Sequence, residues 1–118
     1  MDVQLLCTIL DSMKDPVVFC DLDHVIRYMN KPSTKHYKEG AALLGRSVLD
    51  CHSENSRRMI FEITAAMQQG EEERLIRDDE KMRIFMRAVR AADGALIGYY
   101  ERYEPPTKKT AVAPEACP

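Results

Sequence analysis

A chain of 118 residues has room for one domain around one continuous core and is too short for two. Its 45% hydrophobic and 31% charged residues match a soluble globular protein, and a net charge of −2 with interspersed signs excludes the basic field that draws nucleic acid. No apolar run approaches the ~18 residues needed to cross a bilayer, and MDVQLLCTILDSMKD lacks the basic start and cleavage site of a secretory signal. A cytoplasmic, membrane-free protein is expected.

The first element is a helix whose apolar stripe is Leu5, Leu6, Ile9, Leu10 and Met13. Asp15-Pro16 discourages its continuation, which sets residues 1–14 apart as an amphipathic helix. Val17-Val18-Phe19-Cys20 and Val25-Ile26-Arg27-Tyr28-Met29 follow as β-like runs, and Asp21-Leu22-Asp23-His24 supplies turn chemistry for a hairpin. Pro32, Gly40 and Gly45 break residues 31–50 into short helices and turns. Ser53 then reads as the N-cap of a longer helix over 53–69, with Met59, Ile60, Ile63, Ala66 and Met67 at helical spacing and Gly70 placed to end it.

Three strands close the chain. Glu73 to Asp78 is charged, as suits a sheet edge. In Met82 to Arg90, Ile84, Met86 and Ala88 alternate against Phe85, Arg87 and Val89. Asp93-Gly94 is a strong hairpin signal, and Leu96 to Tyr103 returns as the last strand before Pro105-Pro106. Residues 105–118 read as a disordered tail. This order predicts an α+β domain over 15–104: a five-stranded antiparallel sheet with helices packed on one face.

The four cysteines, at 7, 20, 51 and 117, form neither a CxxC pair nor a zinc ligand set, so reduced thiols are expected rather than a disulfide framework.

With these elements in place, the chain from about Leu6 to Glu104 resembles a PAS domain. The resemblance rests on PVVFCDLDHVIRYMN, on LLGRSVLDCHSENS and on IFMRAVRAADGALIGYYE. The middle stretch is similar to a bacterial PAS subgroup with Gly-Arg, Cys-His and a following Ser, here Gly45, Arg46, Cys51, His52 and Ser56. His24 departs from it, because a glycine is usual in that hairpin turn. So does Tyr103-Glu104-Pro105-Pro106, where PAS domains commonly carry Asp-Ile-Thr before an output helix. The resemblance implies a sensor rather than an enzyme, acting through a partner or separated from its effector. It also implies a homodimer paired through the N-terminal helix, whose stripe would otherwise cover the sheet.

Cys51 and His52 are the one adjacent pair of chemically capable side chains, and in PAS domains this junction borders the ligand pocket. Thiolate and imidazole both ligate haem iron, zinc or copper, so one of the two is the candidate anchor for a bound group. The plainer reading makes Cys51 a small core residue and His52 part of the helix cap. Flavin photochemistry is disfavoured, since Ser47-Val48-Leu49-Asp50 follows Gly45-Arg46 in place of the reactive-cysteine motif. Catalysis by Cys51 lacks an oxyanion motif and a spaced base. Met59, Ile60, Ile63, Met67, Ile84, Met86 and Leu96 form the expected wall between helix and sheet, either as a packed core or as the lining of a small-ligand pocket. A ligand-free dimerisation or scaffold domain is the alternative function, followed by a thiol- or metal-dependent protein using Cys51.

Overall fold

The computed structural model describes residues 2–107, apart from the side chain of Cys51. The elements are α1 (Val3–Asp11), β1 (Val18–Asp21), β2 (Ile26–Met29), α2 (Lys31–His36), α3 (Glu54–Gln68), β3 (Glu73–Asp78), β4 (Arg83–Arg90) and β5 (Leu96–Glu104). Two 3-10 turns, Gly40–Leu43 and Val48–Cys51, fill the stretch between α2 and α3. Every strand pairing is antiparallel and the strand order is β2-β1-β5-β4-β3. The expected sheet is present, with charged β3 at an edge. The disorder expected for 105–118 falls mostly on 108–118, and Cys117 with it, outside the described residues.

Local chemistry accounts for the boundaries. Ser53 caps α3 by accepting from the Ser56 amide at 3.2 Å. At the other end Gly70 adopts φ 113°, and the Glu71 and Gly70 amides close back on the carbonyls of Ala66 and Met67. Arg90 of β4 also donates to the Met67 carbonyl at 2.6 Å, tying the end of the helix to the sheet. The Asp93-Gly94 turn sets the register of the closing hairpin, in which Ile84, Met86 and Ala88 face Tyr103, Glu101 and Tyr99.

Ile60, Ile63 and Met67 of α3 pack with Cys20, Ile26, Met86, Ala88, Leu96 and Tyr99 as one core. Met59 stands at the rim of the expected wall: it is 37% exposed, because the buried arc of α3 is centred on Ile60, Ile63 and Met67. α1 buries no residue of its own, and Leu5, Leu6, Ile9 and Met13 are exposed. Its C-terminal end is tied down by polar bonds, from the Asn30 side chain to the Leu10 carbonyl and from the Lys31 amide to Asp11.

The departure at His24 has a conformational cause. Its φ is +64°, the left-handed region that costs an L-residue roughly 1–2 kcal/mol and that glycine enters freely. The side chain offsets that cost. It is buried, its Nδ1 lies 2.8 Å from the Tyr99 hydroxyl, and its ring meets Phe61 edge-on at 5.3 Å. Burial pushes its pKa down, against the pull of Asp21 and Asp23, and so favours the neutral imidazole.

Candidate functional site

Between the sheet and α2, α3 and the two 3-10 turns lies a cavity of about 280 Å3. That is just below the ~300–1,000 Å3 typical of ligand pockets. Its walls are largely apolar: Val18 and Cys20 of β1, Ile26 of β2, Leu43 and Val48 of the turns, Met59 and Ile60 of α3, and Ile84 and Met86 of β4. Strand alternation puts Val18 with Cys20 and Ile84 with Met86 on the same inner face.

A polar cluster interrupts this lining. Tyr99, Glu101 and Tyr103 stand two residues apart on β5, so all three point inward, and His36, Tyr37 and His52 meet them from the helical side. The side chains of Tyr37, Tyr103 and Glu101 interact with one another in this cluster. Burial pushes the Glu101 carboxyl up from its usual range, while His52, Tyr103 and His36 pull it back. Desolvation likewise raises Tyr37, Tyr99 and Tyr103. His52 approaches the Val48 carbonyl through Nδ1 at 2.7 Å, so in the neutral ring Nδ1 carries the proton and Nε2 is the acceptor.

The expected site residues separate into two groups. His52, Met59, Ile60, Ile84 and Met86 line the cavity, whereas Ile63, Met67 and Leu96 lie in the packed core outside it. The side chain of Cys51 lies outside the described residues. His36, Tyr37, Tyr99, Glu101 and Tyr103 are additions. For Tyr99, Glu101 and Tyr103 the signal was the closing turn, whose register sets Glu101 opposite Met86; it says nothing of His36 and Tyr37 at the end of α2.

Toward a haem the described lining offers the imidazoles of His36 and His52, and no Lys or Arg to pair with its carboxylates. Among the described residues no group of three or more His, Cys, Asp or Glu side chains is placed to hold a metal ion.

The raised carboxyl gives stability a pH dependence. A carboxyl whose folded pKa exceeds its unfolded value contributes stability that is fully present below the unfolded pKa, near 4.5, and is lost as pH rises through the folded one. Replacing Glu101 by Gln removes that loss. E101Q is expected to be more stable than the wild type at pH 7.5 by on the order of 1 kcal/mol, with the advantage vanishing at pH 4. Urea melts at the two pH values measure this; an advantage that is equal at both, or reversed, would contradict a destabilised carboxylate.

A search of curated proteins finds no match to the chain. Among solved structures, a C-terminal domain from Streptococcus mutans superimposes with a TM-score of 0.75 at 17% identity, covering 98% of this chain and 89% of that one. The PAS domain of a Colwellia psychrerythraea protein gives 0.63 at 21%, covering 91% and 98%. A sensory box sensor histidine kinase from Vibrio cholerae gives 0.59 at 16%, covering 85% and 88%. At such identities the likeness is one of fold. The PAS domain family model matches the sequence itself over residues 6–103, nearly all of the described chain, and the chain belongs to the PAS domain family.

Proposed function

We propose that this PAS domain is a cytoplasmic sensory module that takes a small ligand into the cavity between sheet and helices and signals through dimer or partner contacts. The observation that carries this reading is the cavity itself: an apolar enclosure with one convergent polar cluster is the usual form of a small-molecule site. The similarity to a sensor histidine kinase is consistent with a role in signalling. Signal transfer is assigned to α1, because Leu5, Leu6 and Ile9 remain exposed along one helix while its end is bonded to Asn30, beside β2. A second copy of the same stripe is the proposed cover. No helix among the described residues is long and apolar enough to cross a membrane.

A native mass spectrum tests both parts at once. The wild type is expected as a dimer carrying a bound small mass, or accepting one from a fragment mixture. Leu43→Trp places an indole in the cavity from a half-buried wall position, and should abolish occupancy while leaving the dimer intact. Leu6→Glu with Ile9→Glu puts charge in the α1 contact and should yield monomers that still bind. Occupancy that is unchanged in Leu43→Trp would place the ligand elsewhere. A wild-type protein that takes up no small molecule but dimerises would be a ligand-free scaffold.

A further inference from the structure

The polar cluster has a direction, and that direction restricts what the cavity accepts. Glu101 is the one carboxyl of the described lining and lies among Tyr37, Tyr103, His36 and His52. An ionised carboxylate only accepts hydrogen bonds, and its two oxygens offer about four lone-pair sites, more than one hydroxyl neighbour fills. The unspent capacity at the carboxylate is therefore for a donor.

Charge points the same way. The described lining contains the acid Glu101 and no Lys or Arg; its basic side chains are His36 and His52, which already pull on Glu101, so an anionic ligand would meet a like charge in a poorly solvated space and compete with it for those two imidazoles. A cation beside Glu101 would instead offset the burial that disfavours its ionised form. The remaining walls, formed by residues such as Ile26, Leu43, Ile60 and Met86, offer apolar contact alone, and about 280 Å3 limits the guest to a compact body.

We propose that the cavity selects a compact amine, with an apolar body seated against the helix-facing walls and its protonated nitrogen donating to Glu101, and that it rejects carboxylates of the same shape. This rests on the reading of the cavity as a ligand site and adds the chemical class of the ligand. Charge-assisted hydrogen bonds in poorly solvated sites are the stronger kind, so the nitrogen should contribute about a tenfold preference or more.

Three probes of one shape and different charge test it: benzylamine, benzyl alcohol and benzoate, titrated at pH 7.5 into the full chain and followed through its amide NMR shifts. Benzylamine is expected to bind at least tenfold more tightly than benzyl alcohol, with benzoate weakest. In E101Q, which keeps the shape of the side chain, benzylamine should lose about tenfold while benzyl alcohol is unchanged. Benzyl alcohol or benzoate equalling benzylamine in the wild type, or E101Q retaining the wild-type order, would overturn the amine assignment and leave the cavity as a ligand site. Failure of all three probes to bind, together with a native spectrum free of bound mass, would overturn the cavity reading as well.

Discussion

Asn30→Ala is expected to cost about 3–5 kcal/mol, a large part of the roughly 5–15 kcal/mol that holds a domain of this size together. The side chain is fully buried and uses its whole amide. Oδ1 accepts from the Val17 amide at 2.8 Å and the Ser33 amide at 3.1 Å, while Nδ2 donates to the carbonyls of Leu10 at 2.8 Å and Asp15 at 3.1 Å. One residue therefore caps α2, anchors the approach to β1 and ties down the end of α1. Truncation leaves the Val17 amide and the Asp15 carbonyl without their partner and the Ser33 amide and Leu10 carbonyl with only their backbone bonds to Asn30 and Met13, and an unsatisfied buried group costs about 1–3 kcal/mol, with partial rescue by entering water. Loss of the cap contributes about 0.5–2 kcal/mol within that total. Asn30→Asp keeps the acceptors and loses both donors, so it should release α1 first: amide exchange would quicken in α1 before the sheet loosens. Urea denaturation reads the global effect. A loss under about 1 kcal/mol for Asn30→Ala would show that this network is not what joins the three segments.

Gly98→Ala should be comparably damaging for the opposite reason, too much matter rather than too little bonding. A Cβ on Gly98 would stand 2.2 Å from the Cys20 carbonyl oxygen and 2.5 Å from the Phe19 ring. The ring can turn. The carbonyl belongs to β1, which pairs with β5 through Phe19 with Tyr100, Cys20 with Tyr99 and Asp21 with Gly98, so relief requires the strands to part. Overpacking costs typically about 1–3 kcal/mol, and a clash with paired backbone belongs at or above the top of that range. The damage should reach the cavity as well, because Val18 and Cys20 of β1 form part of its wall. Adding Phe19→Ala to Gly98→Ala removes the ring contact but leaves the carbonyl in place. If the pair regains nearly all wild-type stability in urea, the ring was the obstacle and the strand-parting account fails.

Both positions show what a linear reading reaches. Asn30 and Gly98 stand at recognisable places, a helix start and a strand, yet the severity of their substitution depends on residues 13 to 79 positions away in the chain. The elements themselves were legible because their causes are local. Alternation in 82–90 is a property of neighbouring residues, Ser53 caps an amide three residues on, and Asp93-Gly94 closes its own hairpin. How far Met59 is covered was not legible, because one helical turn holds two residues near the edge of the buried arc, and only the position of the sheet decides which is the more buried.

The sequence by itself determined the α+β order, the antiparallel sheet with its charged edge strand, the helix boundaries and most of the apolar wall, since periodicity, caps and turn chemistry operate within a few residues. His52 could be picked out as a reactive side chain, though not the direction of its ring. Tertiary structure alone decided that Ile63, Met67 and Leu96 fill the core while Ile60, Ile84 and Met86 border a cavity. It also decided that Glu101 lies in that cavity beside Tyr103, Tyr37 and two histidines. Nothing in a strand reading Tyr-Tyr-Glu-Arg-Tyr marks its acid as inward-facing; the register of β5 against β4 and the helices laid over the sheet put it there, and that burial is what perturbs its charge.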